Sequence, residues 1–415
     1  MCVVSEATSS HAINTSRVNC HGYNDTADCR SSFISKEGLS VTPIYMQKIA
    51  GPMAWVGGDF KSKEDIVFEL GAPQITAFEE ILSRVKDIPR DEISARHAAH
   101  PALDEELKKV YREVIHGRGL VIVRGFPIAG RAIEDVEKIY WAFCTHMGNL
   151  LSNNAFGHRM VRVQEERLPN GEQSVRGTKS RAELAMHNDS CDIFMLMCVQ
   201  QAAKGGESQF SSGPAAHNTI LAKRPDLLPV LYRGFPQHRR SEQQPGQADV
   251  TPYDVPVFAN VNGQISINFT YSSIVPALHA LGRKLTSQEE EALEVMREVL
   301  LAQQLEVRMA PGEVSVANNY ALCHARSDFV DGDLPTQRRL VLRAWTEVPL
   351  PDRRLPIGRE FFHMENADGR LGYDPVPGLE GRISRADYAN MPEDLAKLFK
   401  ATQAKPKGGT QVNRN

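Results

Sequence analysis

The residues best suited to chemistry lie in the stretch AELAMHNDSCDIFML, where His187 and Asp189 stand two apart just ahead of the apolar run Ile193 to Leu196. If this stretch is a β-strand, alternate side chains leave the same face, so an imidazole and a carboxylate point together. That pair is two-thirds of a 2-His-1-carboxylate facial triad, the donor set that holds non-haem Fe(II) and leaves coordination positions open. Taken alone, a His-x-Asp triplet reads as readily as a surface polar cluster at a strand start. A third ligand has to come from elsewhere. His324, in NNYALCHARSDF, supplies it 137 residues downstream, shortly after an expected strand. A lone histidine near a strand end is also compatible with an ordinary surface or hydrogen-bonded side chain.

Arg339 follows fifteen residues after His324, and Arg343 comes four later, in TQRRLVLRAW. In a strand, the odd positions Arg339, Val341, Arg343 and Trp345 share one face. An arginine on the inward face of a sheet is costly unless an anion pairs with it. A dicarboxylate cosubstrate such as 2-oxoglutarate, chelating iron through its 2-oxo group and adjacent carboxylate, leaves its far carboxylate for the planar fork that Arg has and Lys lacks. Four residues of strand span about 13 Å, so the two arginines serve two anionic groups. Three other readings stay open on residue types alone. A zinc hydrolase uses the same ligands with water in an open position, but leaves the paired arginines unexplained. The others are a 2-oxoglutarate-independent iron oxidase and a non-catalytic protein that binds a small anion.

These side chains need elements to position them. LDEELKKVYREVIHGRG sets Leu103, Leu107, Val110 and Val114 on one helical face, with Gly117 placed to end the helix. LVIVRGF follows as a strand and RAIEDVEKIYWAFCTHMG as a second amphipathic helix. Thr286 with Glu289 three residues on opens a third helix with a capping box. VFANVNGQISINFT predicts a hairpin turning at Asn262-Gly263, and LEVRMAPGEVSVAN another pair of strands around Pro311-Gly312. Early and flanking helices around many antiparallel strands predict an α+β fold with a double-stranded β-helix, or jelly roll, at its core. Residues 1–45 are expected to be a disordered or mobile extension, 46–398 a single domain with helical additions, and 399–415 a flexible tail.

A net charge of −3 with both signs mixed argues against a nucleic-acid surface. No apolar run is long enough for a bilayer, and no secretory signal is seen, so no membrane partner and a cytoplasmic location are expected. The Ser, Thr and Asn-rich start leaves a mitochondrial address open, weakened by Glu6, Asp25, Asp28 and Glu37. Seven scattered cysteines form no Cys-x-x-Cys pair and read as reduced thiols. Asn188-Asp189-Ser190 is formally a glycosylation sequon, which a metal site there excludes.

Four motifs in a fixed order now matter together: HNDS, AKGGESQFSS, CHAR and QRRLVLR, with HGRGLVIVRGFP ahead of them. Over roughly residues 50 to 350 the chain resembles the taurine dioxygenase-like (TauD/TfdA) group of Fe(II)/2-oxoglutarate dioxygenases, clavaminate synthase-like in fold. The resemblance implies that His187, Asp189 and His324 bind iron. It implies that Ser208 and Arg339 hold the far carboxylate of 2-oxoglutarate, with Ser208 standing where the family often has threonine. Arg343 is then near the metal, facing an anionic substrate group or the inner carboxylate of the cosubstrate. The implied reaction couples oxygen-dependent decarboxylation of 2-oxoglutarate to C–H oxidation by hydroxylation, desaturation or cyclisation. A carboxylate at Asp189 disfavours halogenation. The spacing from His324 to Arg339 is longer than in taurine dioxygenase, so the loop SDFVDGDLPT is expected to be extended and the substrate to differ. The expected substrate is a small carboxylate or amino-acid-like metabolite. Arg176 or Arg181 in SVRGTKSRAEL are candidate substrate contacts, against a solvated basic loop as the plainer reading. Arg239 and Arg240 read as surface charge in a rim loop, and Asn153 and Asn154 as cavity-lining or ordinary loop residues.

Overall fold

The computed structural model describes residues 43–165, 179–240, 242–261, 264–354, 371–376, 397 and 401–402. In chain order its first strands are β1 (Val67–Glu69), β2 (Leu120–Arg124), β3 (Asn149–Leu151), β4 (Met160–Val163), β5 (Leu184–His187), β6 (Ile193–Gln200), β7 (Lys204–Gly205) and β8 (Ser208–Ser212). They continue as β9 (Phe258–Val261), β10 (Gln264–Ile267), β11 (Leu305–Val307), β12 (Glu313–Asn318), β13 (Leu322–Arg326), β14 (Phe329–Val330) and β15 (Leu340–Glu347). The helices are α1 (Ala72–Arg84), α2 (Ala95–Ala98), α3 (Pro101–His116), α4 (Ile133–Thr145), α5 (Gly213–Lys223), α6 (Leu228–Arg233), α7 (Tyr271–Ala280) and α8 (Ser287–Ala302).

A seven-stranded sheet runs β1, β2, β12, β6, β15, β3, with β4 also paired to β15, and a four-stranded sheet runs β11, β8, β13, β5. Side chains of both sheets meet in one buried cluster: Leu120, Ile122, Phe194 and Trp345 from the larger, Phe210 and Leu322 from the smaller. The outward face of the larger sheet, including Val121, Met195, Val316 and Leu342, packs against Phe78, Leu107 and Phe143 of α1, α3 and α4. Cys323 and Ala325 on the outer side of the smaller sheet meet Ile220, Leu278 and Met296 of α5, α7 and α8. Both faces of β6 are therefore covered, which is why IFMLMCVQ reads as a continuous apolar run and not as an alternation.

The α+β class follows directly from this arrangement. Leu103, Leu107, Val110 and Val114 are all buried on α3, and Thr286 accepts from the Glu289 amide while the Glu289 carboxylate accepts from the Thr286 amide. β9 and β10 pair antiparallel with Val261 opposite Gln264, although Asn262 and Gly263 themselves lie outside the described residues. The pair expected around Pro311-Gly312 is different: β11 pairs with β8 and β12 with β2 and β6, so Gly312, at φ +81°, turns the chain from one sheet to the other. β1 and β2 are parallel, a departure from the expected antiparallel pattern. The expected N-terminal extension lies outside the described residues up to 42, yet Ile44 already packs on the helical side of the smaller sheet, ahead of the boundary at 45. At the other end Thr402 is buried, inside the stretch expected to be a flexible tail. No described helix is long and apolar enough to cross a membrane.

Two crossovers position the chemistry. The chain passes from the smaller to the larger sheet between β5 and β6, and returns between β12 and β13. Asn188 and Asn319, one in each crossover, tie the two together. Asn188 Nδ2 donates to the Leu322 carbonyl at 2.9 Å, while Asn319 Nδ2 donates to the Asp189 and Cys191 carbonyls at 2.7 and 2.8 Å. The amide of Asn188 is buried and used on both sides, its Oδ1 accepting from the Phe269 amide at 2.7 Å, so this sequon presents no acceptor for a glycan.

Candidate metal centre

His187 and His324 are register partners across β5 and β13, and their ring centroids lie 4.1 Å apart. β5 ends at His187, so strand alternation is not what aims Asp189; the crossover does, with the Asp189 amide donating to Asn319 Oδ1 at 2.9 Å. The Asp189 carboxylate then lies 3.8 Å from His187 Nε2 through Oδ1 and 3.6 Å from His324 Nε2 through Oδ2. One donor atom from each of the three residues lies within 4.8 Å of the others, a set that could hold one metal ion.

The donors are oriented by different means. His187 Nδ1 lies 2.9 Å from the Ala185 carbonyl, which fixes the proton on Nδ1 and frees Nε2. His324 is held by stacking on Phe194, centroids 4.0 Å apart and planes at 28°. Burial pushes both imidazoles below their ordinary value, His324 well below it. Burial alone would raise the Asp189 carboxyl. Arg343, the two histidines and the Trp345 N–H outweigh that and hold it below its usual range. Two neutral imidazoles and an ionised carboxylate are the states that a divalent metal requires.

Arg339 is buried just ahead of β15, with Nε and Nη1 unpartnered among the described residues and its guanidinium 5.4 Å from the Phe329 ring. Burial lowers it to about 10. An orphaned buried guanidinium of this kind fits an incoming carboxylate. The Gly-Gly element has a matching physical reason. A Cβ at Gly205 would fall 2.1 Å from the Asp328 carbonyl oxygen, and one at Gly206, at φ +75°, would fall 3.1 Å from Arg339 Nε. Ser208, two residues on, is buried on the inward face of β8 opposite Arg326 of β13. Arg326 is a second buried guanidinium on this side, lowered to about 9 by burial and by Arg339, and its Nε donates to the Ser327 carbonyl.

The sequence pattern of the taurine catabolism dioxygenase TauD, TfdA family matches residues 84–345, a span that includes every one of these side chains. The chain belongs to this family. It is an Fe(II)/2-oxoglutarate-dependent dioxygenase that uses O2. It is 29% identical over 242 residues to the FR-33289 synthase of Streptomyces rubellomurinus, covering 56% of this chain and 70% of that protein. It is 25% identical over 363 residues to the taurine hydroxylase-like protein SAT17 of Stachybotrys chartarum, covering 80% of this chain and 91% of that one. Among solved structures, an asparagine oxygenase with Fe(II), 3-hydroxyasparagine and succinate superposes at TM-score 0.54 with 15% identity, over 70% of this chain and 98% of the other. The non-haem iron oxygenase OrfP with Fe, succinate and 3-hydroxyarginine superposes at 0.52 with 12% identity, over 70% and 99%. At these identities the structural likeness shows the fold.

Other residues of the dioxygenase fall as follows. Arg343 lies on the inward face of β15, its Nε donating to Asn153 Oδ1 at 3.1 Å and its Nη1 3.5 Å from Asp189 Oδ2. Asn153 is thus a support for Arg343, whereas Asn154 caps its own loop by accepting from the Phe156 and His158 amides. Arg176 lies outside the described residues, and Arg181 pairs with Glu165 at 3.1 Å. Arg239 and Arg240 are not the surface charges expected of a rim loop. Arg239 is buried, donating to the Ala248 carbonyl at 3.1 Å. Arg240, at φ +56°, has its amide bonded to His238 Nδ1 and its guanidinium to Ser272 and Ser273 Oγ, at the start of α7. Its charge bears on the His187 imidazole. Sequence reasoning missed Asn319, Phe194, Arg326 and the role of Trp345; the doubled Asn318-Asn319 ahead of His324 was the only visible hint. Replacing Gly206 by Ala is expected to raise the KM for 2-oxoglutarate about fivefold, roughly 1 kcal/mol, because the added Cβ, 3.1 Å from Arg339 Nε, displaces the guanidinium. An unchanged KM would detach this glycine from Arg339.

Proposed function

We propose that His187, Asp189 and His324 hold the Fe(II), that Arg339 with Ser208 receives the far carboxylate of 2-oxoglutarate, and that the dioxygenase oxidises a C–H bond of a small anionic, amino-acid-like metabolite. The two-sheet core is, on this reading, the double-stranded β-helix that frames such a site. The observation that carries the proposal is the pairing of three convergent ligand side chains with a buried guanidinium whose donors have no partner among the described residues.

Bound iron supplies the oxidising chemistry; the residues of this chain bind, orient and exclude water. His187 is oriented by the Ala185 carbonyl, Asp189 by the crossover, and His324 by its aromatic shelf. Arg343, propped by Asn153, stands beside the ligands where it can meet a substrate anion. Arg240, seated on two serines at the start of α7, adds a second cation on the His187 side. A guanidinium beside Asp189, with a second whose charge bears on His187, favours an anionic substrate over a neutral one. The amino-acid products named for the asparagine oxygenase and OrfP structures support the amino-acid-like class.

The test loads the protein anaerobically with Fe(II) and 2-oxoglutarate, adds oxygen with a panel of L-amino acids, N-acylated amino acids and aminosulfonates, and follows succinate release and oxygen uptake together. One or more anionic compounds should stimulate succinate release in step with oxygen uptake. Stimulation by uncharged analogues alone would overturn the substrate class, and release that persists without iron would overturn the metal assignment.

A further inference from the structure

Trp345 is almost fully buried on the inward face of β15. Its indole Nε1–H donates to Asp189 Oδ2 at 2.9 Å. The face of the same ring carries the Arg343 guanidinium, 4.5 Å from the ring centroid, and Tyr373 stacks with it at 6.0 Å and 27°. Trp345 is also the register partner of Phe194, the ring under His324. Two adjacent aromatics of the larger sheet thus support two candidate ligands that come from the smaller sheet and its crossover.

The choice of residue has chemical content. Indole N–H is a donor only, so it can hold a carboxylate and cannot itself compete for a metal. A carboxylate turns easily about its terminal torsion and can bind a metal through either oxygen or both. With Oδ2 engaged by the indole at 2.9 Å and approached by Arg343 Nη1 at 3.5 Å, Oδ1 is the oxygen left on the His187 side. A buried ring packed against both the Arg343 guanidinium and Tyr373 is a rigid mount for that donor.

We propose that Trp345 is a positioning residue of the metal centre. Its N–H holds Asp189 Oδ2 and so presents Oδ1 as a single-oxygen ligand, while its ring sets the position of Arg343. The inference rests on the reading of the triad as the iron site, and it concerns how the aspartate is aimed within it.

Trp345→Phe keeps a ring beneath Arg343 and removes the N–H. Anaerobic equilibrium binding of Fe(II), and separately of Co(II), to the metal-free full-length variant should be weaker by about 10- to 100-fold, the usual cost of losing an outer partner of a ligand. A packing role alone predicts unchanged metal affinity whatever happens to the melting temperature, so binding within about twofold of the parent overturns the proposal. Failure of the parent protein to bind either metal would instead overturn the reading of the site. If the variant does not fold, the parent decides. The chain has three tryptophans, and the indoles of Trp55 and Trp141 donate to the Arg118 and Ile93 carbonyls. Loading with paramagnetic Co(II) should shift or broaden one indole N–H resonance far more than the other two. Three equally unaffected resonances would overturn the proposal.

Discussion

Asp189→Asn is expected to yield a folded protein whose Fe(II) affinity is lower by more than about 100-fold, beyond the range typical of losing an outer partner, and which releases no succinate above background. The substitution preserves shape and still offers Trp345 an acceptor, so it isolates the charge. Without that charge the site comprises two neutral imidazoles facing the Arg343 guanidinium, a net positive pocket that repels a divalent cation. Equilibrium metal binding under nitrogen, with melting of the metal-free forms as the control for folding, checks this. Retained affinity would remove Asp189 from the ligand set. The same electrostatics give a pH expectation. Both histidines titrate below their ordinary 6.5 and Asp189 below its ordinary 3.8, so metal affinity in the parent should stay level as pH falls to 6.5 and decline only further down, as the imidazoles take up protons.

Arg339→Ala should leave iron binding nearly intact while raising the KM for 2-oxoglutarate by roughly 30-fold to several thousand-fold. Truncating one partner of a buried, hydrogen-bonded charge pair costs about 2–5 kcal/mol. The guanidinium has two donor atoms without a partner among the described residues, whereas the neighbouring Arg326 already donates through Nε and Nη2 to the Ser327 and Ala182 carbonyls and is a poorer replacement for it. Arg339→Lys restores the charge without the planar fork and should recover only part of the loss. Steady-state kinetics in 2-oxoglutarate, alongside iron binding, separate the two effects. An unchanged KM in Arg339→Ala would end the assignment of the carboxylate clamp.

Much of this site was legible in the chain because the relevant signals are local or are costly exceptions. His187 and Asp189 sit within one triplet, and two arginines on the inward side of a strand are expensive without anions. The odd-position rule held for Arg343 and Trp345, which reach Asp189 and the buried core between the sheets. Arg339 instead lies outside β15, ahead of a register irregularity between Leu340 and Val341, and is buried there without being a strand residue. Where the reading slipped, a long-range contact decided. Arg239 and Arg240 look like rim charges in a polar loop, but carbonyls and serines brought by other segments bury one and seat the other. The strands around Pro311-Gly312 look like a hairpin because a turn signal does not say which sheet takes each strand.

The linear chain by itself determined the donor types, their order, the helical and strand periodicities and the family pattern, because each depends on residue identity and short spacing. Only the tertiary structure decided that His187 meets His324 as a cross-strand pair, that a crossover pinned by Asn188 and Asn319 aims Asp189, and that Trp345 and Phe194 contact the proposed ligands Asp189 and His324 from the opposite sheet. The physical reason is that such convergence is set by register and by packing between sheets, and residues that meet there carry no mark of it in their own neighbourhoods.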